Sequence, residues 1–192
     1  YITGGVEQNL RTSPLLEMYR QKDIEVLIMD DEIDEIVIPA VGKFGDLELK
    51  SVNRSDAAAD LKTDEEKKTE KAMEPLVKRI AKVLKDEVKE VRASVRLSDS
   101  PSCVVADEND PTFQMQHLLK AMGQKEMPDI KPILEINPTH PIVKKLEETK
   151  DETLFEDTSR LLFEQAMLIE GAPLKNPAEF AKRLNRVIEG AL

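Results

Sequence analysis

The sequence predicts a mixed fold in two parts. An α/β, Rossmann-like piece spans residues 1–53, and an α+β, mostly helical domain with a small three-stranded sheet and a closing helix pair spans 75–192. Three observations carry this. Strand and helix signals alternate through the first fifty residues; residues 54–74 lose nearly all large apolar side chains; the last forty residues carry helical apolar periodicity in two runs.

Tyr1-Ile2-Thr3 reads as a strand leading into Gly4-Gly5. Ser13 is placed to cap a helix whose first position is Pro14 and which runs through Leu15, Leu16, Met18 and Tyr19. Residues 25–29 (EVLIM) form a buried strand, residues 30–35 open a helix or loop, and residues 47–52 form a further strand. Such alternation implies a small parallel sheet covered by helices.

Residues 54–74 are nearly balanced in charge, with Glu and Lys at i, i+4 spacing, as in a solvated helix or a linker; a domain boundary is expected here. A helix is predicted from Pro75 to about residue 86, with Leu76, Val77, Ile80, Ala81 and Leu84 inward and Lys78, Arg79, Lys82 and Lys85 outward. Residues 91–97 alternate, predicting a strand with Val91, Ala93, Val95 and Leu97 on one face; 98–101 turn, and 102–105 return as a second strand. A short helix follows Asp110 and Pro111 and ends at Gly123, residues 133–136 form a third strand, and Asn137 or Thr139 caps a helix through Val143 and Leu146.

The terminal pair is the most sharply patterned stretch. Leu154, Phe155, Thr158, Leu161, Leu162, Gln165, Leu168 and Ile169 share one helical face, while Phe163 and Met167 lie opposite. Gly171 and Pro173 break the chain, and Asn176, Pro177 and Glu179 form a capping sequence for a last helix carrying Phe180, Leu184, Val187, Ile188 and, at its end, Leu192. A helix apolar on two sides needs two partners. Either the hairpin packs wholly within one domain, or two copies pair their hairpins into an intermolecular four-helix bundle.

Composition narrows the function. The net charge of -10 and 4% aromatic content argue against nucleic acid as a partner, because phosphate contacts need a basic face and bases need stacking platforms. No apolar run reaches membrane-span length, no signal peptide opens the chain, and a single cysteine fits a reducing cytoplasm. The absence of an initiator Met before a strand-like start is expected of a piece of something longer.

No GxGxxG, Walker or GxSxG motif is present, and His117, His140 and Cys103 do not make up a zinc site. Two features could still carry chemistry. Gly4-Gly5 after a strand, with Asp30, Asp31, Glu32, Asp34 and Glu35, could serve a small α/β enzyme that binds a phosphorylated ligand and Mg²⁺; a tight turn and an acidic helix start explain the same residues. Met115, Leu118, Leu119 and Met122 form a flexible apolar stripe, with Phe113 pointing away, suited either to core packing or to adaptable recognition of apolar partners by an interaction module.

The order of several motifs is that of a known family. Tyr1-Ile2-Thr3-Gly4, Ser13-Pro14 with Leu16-Glu17, and Glu25-Val26-Leu27 followed by Ile33-Asp34-Glu35 resemble the end of the middle domain of the heat shock protein 90 molecular chaperones. Arg96-Leu97-Ser98-Asp99-Ser100-Pro101, Met115 with Gly123-Gln124, and Leu134-Glu135-Ile136-Asn137-Pro138 with His140-Pro141-Ile142-Val143 are similar to the C-terminal dimerisation domain of that family. The end at Glu189-Gly190-Ala191-Leu192, without an acidic MEEVD tail, resembles the bacterial HtpG type and implies no docking of tetratricopeptide co-chaperones.

The resemblance implies a homodimeric, cytoplasmic chaperone acting on unfolded clients. ATP and Mg²⁺ would be used by the full-length parent and not by these residues, so this part would not itself be an enzyme. It implies dimerisation through Leu154, Leu161, Leu162, Leu168, Ile169, Phe180, Leu184, Val187 and Ile188. It implies client binding through Met115, Leu118, Leu119 and Met122, and through Glu35 and Ile36. Glu35 matches an acidic position of the family, whereas Ile36 and Pro39 depart from a tryptophan and an asparagine found there in some HtpG proteins.

Overall fold

A computed structural model describes residues 1–124 and 130–191. It is a mixed α/β fold, about half helical, with small sheets. Leu192, expected at the end of the last helix, lies outside the described residues.

The amino-terminal part opens with β1 (Ile2–Thr3), α1 (Glu7–Arg11), a 3-10 turn at Pro14–Leu16 and α2 (Glu17–Gln21). The Ser13 hydroxyl accepts from the Leu15 N–H, so the predicted cap forms at this turn. β2 (Ile28–Met29) pairs with β1 in parallel, Ile2 opposite Ile28. It is shorter than the predicted 25–29 strand. α3 (Asp34–Val41) follows.

The strand expected over 47–52 is instead the second arm of a hairpin. β3 (Lys43–Phe44) and β4 (Leu47–Glu48) pair antiparallel around Gly45, whose φ of 60° supplies the left-handed turn residue. Beyond it the chain runs irregularly, and the Val52 N–H reaches the Tyr1 carbonyl.

After a 3-10 turn at Ala59–Leu61 comes α4 (Asp64–Val83). It begins well before Pro75, because Thr63 and Glu66 form a reciprocal capping box. Pro75 then sits inside the helix. It and Lys71, whose carbonyl it cannot serve, are both solvent-exposed, so water can take the place of the missing bond.

β5 (Glu90–Ala93), β6 (Ser102–Val105) and β7 (Ile133–Ile136) form the central sheet, in the order β5-β7-β6. The expected β5–β6 hairpin is therefore replaced: β7 lies between them, parallel to β5 and antiparallel to β6. The predicted strand over 91–97 also stops at Ala93. Val91 and Ala93 face one core, whereas Val95 and Leu97 pack on the other. The Ser94 hydroxyl takes the Arg96 N–H there, turning the chain out of the ladder and leaving room for the middle strand.

α5 (Phe113–Ala121) is capped by Thr112; α6 (Pro141–Glu148), α7 (Glu152–Ile169) and α8 (Pro177–Ala191) close the chain. The cap of α6 is His140, one residue beyond the expected Thr139: its Nδ1 accepts from the Ile142 N–H. The Asn176 Oδ1 accepts from the Glu179 N–H, as the capping sequence predicts.

Period-two alternation sends the sheet's side chains to two cores. On one face, Val91, Ala93, Val104, Leu134 and Ile136 meet Leu76, Ile80 and Leu84 of α4, Val143 and Leu146 of α6, and Phe155, Leu162, Phe163 and Ala166 of α7. On the other, Cys103, Val105 and Ile133 meet Ile2, Leu10, Leu15, Leu16, Met18, Tyr19 and Val52. Residues from both sides of the charged 54–74 segment thus share one buried cluster. Arg79, placed outward by the pattern, in fact lies over the Phe155 ring at 3.6 Å and donates to the Thr149 carbonyl.

Candidate functional site

Three arrangements stand out: a buried polar junction, an apolar groove and an acidic cavity. Glu135, in the middle strand, accepts from Arg96 Nε at 2.9 Å, from Arg92 at 2.5 Å and from the Ser94 hydroxyl at 2.8 Å. Arg96, 1% exposed, also donates to the Val52 and Arg54 carbonyls, and Arg92 to the Ser55 carbonyl.

Burial works to raise the Glu135 carboxyl, but the Arg96 and Arg92 charges outweigh it and hold it below the ordinary range. Cys103 lies against the same carboxylate, and burial pushes its thiol well up, so it is an inert core residue. A few residues away, Glu17 accepts from the Ser98, Asp99 and Ser100 N–H groups at 2.6–3.1 Å and from the Ser100 hydroxyl. Burial opposes its charge, yet these donors win and its carboxyl is lowered. Arg96, Glu135 and Glu17 fall within the family-like motifs, but no local pattern gives them a role. A charged side chain inside an apolar strand pattern was the available signal.

The groove runs between α6, α7 and α8 and encloses about 470 Å³. It collects six of the nine residues expected at a dimer seam: Leu154, Leu161, Leu162, Phe180, Leu184 and Val187. Leu162 touches its floor but belongs to the protomer's own core, 2% exposed, because it falls on the α7 flank facing the sheet. Leu168, Ile169 and Ile188 are exposed and do not line the groove. Ile142 and Leu146, at i, i+4 in α6, complete the wall. Phe163 and Met167, on the second apolar face of α7, pack on the central core. Two charged contacts clamp α7 to α8: Arg186 grips both Asp157 oxygens at 2.7 Å, and Arg183 pairs with Glu164.

At the opposite end, α3 approaches α5. The Thr112 hydroxyl, which caps α5, also donates to the buried Glu35 carboxylate, joining the two stretches expected to bind clients. Met115, Leu118 and Leu119 are half-buried, Met122 is 67% exposed and Ile36 is exposed, while Phe113 packs on the core. Leu118 and Glu35 line one cavity with Gly4 and Gly5. Among the described residues that cavity also presents Asp31 and Glu32 and no lysine or arginine, a lining that repels phosphate. Among the described residues, no cluster of three or more His, Cys, Asp or Glu is arranged to hold a metal ion. None of the helices described is long and apolar enough to cross a membrane.

Comparison with known proteins gives a consistent result. The family model described as "Hsp90 protein" matches residues 1–192. The chaperone protein HtpG of Treponema denticola is 54% identical over 192 residues, covering 98% of this chain and 30% of the relative. That of Treponema pallidum is 47% identical with the same coverage, and that of Wolinella succinogenes is 46% identical over 195 residues, covering 100% of this chain and 32% of the relative. The chain thus spans about a third of the length of these relatives.

Proposed function

The chain belongs to the Hsp90 protein family, and on that premise we propose that it is the carboxyl-terminal part of an ATP-dependent, cytoplasmic HtpG-type chaperone, contributing dimerisation and client binding. Residues 1–53 are then the Rossmann-like end of a middle domain, 54–74 the connection, and 75–192 the dimerisation domain. ATP and Mg²⁺ belong to the rest of the parent protein. The carboxylate lining of the Gly4-Gly5 cavity, which disfavours phosphate, supports that assignment.

The observation that carries the proposal is the open apolar groove between α6, α7 and α8. Leu154 and Leu184 reach solvent from its walls, and Ile142 does the same from α6. A protomer that leaves such a groove uncovered gains by burying it against a copy of itself, and a twofold arrangement would set two α7–α8 hairpins into a four-helix bundle. Such a tether raises the effective concentration of the two arms for each other. Clients would rest on the Met115, Leu118, Leu119 and Met122 stripe and on the neighbouring Glu35 and Ile36.

Sedimentation equilibrium tests the dimer. The chain should run as a dimer at micromolar concentration, and the double variant Leu161→Asp/Leu184→Asp as a folded monomer. An unchanged mass for the variant would remove the groove from the interface.

A further inference from the structure

Two cavities meet at Gly4-Gly5, just after β1. One, of about 240 Å³, opens between α3 and α5 and is walled by Asp31, Glu32, Glu35, Gln114 and His117. The other, of about 220 Å³, shares the two glycines, Gln114 and His117 and reaches Asn53 and Glu170. Thr3 stands in both walls. It is 2% exposed, yet its Oγ1 has no hydrogen-bond partner among the described residues. Buried hydroxyls in native folds are nearly always paired, so an unpaired one beside a cavity marks a place for a donor or acceptor from outside.

The lining specifies that outside group. Among the described residues, three carboxylates and no lysine or arginine face the first cavity, in a chain of net charge -10, so a cation is attracted and an anion repelled. The carboxylates and His117 are not arranged to hold a metal ion. The volume is below the roughly 300–1,000 Å³ of sites that enclose a small molecule, which favours a single side chain. Around the mouth, α3 carries exposed Ile36 and Val37, and Met122, just after α5, is exposed too.

We infer that this cavity receives the lysine or arginine side chain of an unfolded, largely apolar polypeptide segment, its cationic head meeting Glu35 and the Thr3 hydroxyl while its neighbours lie on α3 and α5. The inference rests on the client-binding reading above and narrows it to segments in which a basic residue interrupts apolar ones. Lysine's three donors match an acceptor-rich lining of carboxylates, hydroxyl and amide oxygen.

The test uses the 192-residue chain and three fluorescein-labelled extended peptides that differ only at a central position: lysine, norleucine or glutamate among apolar residues. Fluorescence anisotropy should give the lysine peptide at least about tenfold tighter binding than the norleucine peptide, the factor expected of hydrogen bonds to a charged group. The glutamate peptide should bind more weakly still. In both Thr3→Val, which keeps the shape, and Glu35→Gln, which keeps an acceptor for Thr112, the lysine-over-norleucine ratio should fall toward one, with circular dichroism unchanged.

Equal, measurable binding of the lysine and norleucine peptides would overturn the cation site and leave the client reading standing. So would a lysine preference that survives in both folded variants. Failure of all three peptides to bind would overturn both readings.

Discussion

The two faces of the central sheet are sealed in opposite ways. Toward residues 1–58 an apolar cluster is locked by buried polar contacts: Arg96, Arg92 and Ser94 converge on Glu135, and Glu17 is held by the 98–100 turn. Toward the carboxyl end, the α4, α6 and α7 layer is apolar within, but its outer groove is left open. A buried polar cluster is stable only when its donors and acceptors are matched, so the first junction is complete within one chain. An apolar surface has no such internal accounting; any second apolar surface of suitable shape can cover it. Completion inside the chain marks structure, and incompletion marks a place for a partner.

The sharpest way to break this contrast is at Arg96. Arg96→Met leaves Glu135 short of its main partner and should cost about 3–5 kcal/mol in urea unfolding. The double variant Arg96→Met/Glu135→Leu should recover much of that loss, because the two fully buried charges go together and only the partly exposed Arg92 loses its carboxylate. A mild effect of the single change would mean that the junction does not hold the two parts together.

The next effect is one of pH. Burial pushes the Glu170 carboxyl up to about 7, opposed by the Asn53 amide and the Arg96 charge. The folded state therefore holds this proton more tightly than the unfolded chain. Its stabilising contribution is full below pH ~4.5, declines between there and ~7, and is gone above. Glu170→Gln should flatten that decline and stabilise the protein at pH 8 by roughly 3 kcal/mol relative to the parent, measured by urea titration at several pH values.

Glu17 has the opposite sign. Its lowered carboxyl contributes stability above the unfolded value of about 4.5, lost as pH falls through the folded one. Glu17→Gln should cost about 1–2 kcal/mol at neutral pH and little under acid conditions. The smallest effect is expected in the groove: Leu184→Asp, measured on the monomer at high dilution, should change stability by no more than about 0.5 kcal/mol. A larger loss would mean that the groove belongs to the protomer's own core.

Much of this was legible one segment at a time. Asn176 with Glu179 caps α8 as read, the 102–105 and 133–136 runs are strands, and Leu76, Ile80 and Leu84 turn inward from α4. Where the reading failed, a longer-range contact had overruled a local pattern. The even alternation through Leu97 ended at Ser94, the hairpin expected from a four-residue turn admitted a third strand, and Leu162 turned from a seam residue into core.

The sequence alone determined most of the helices, the Ser13 and Asn176 caps, the apolar stripes and the family resemblance, since each depends on residues within a few positions or on motif order. The tertiary structure alone decided that Glu135 and Arg96, 39 residues apart, neutralise each other inside the fold. It also decided that Gly4-Gly5 shares a cavity with Glu35 and α5, and which leucines of α7 remain open. Periodicity assigns a side chain to a face of its own helix or strand, but what that face meets is set by chain closure over tens of residues, which no local pattern encodes.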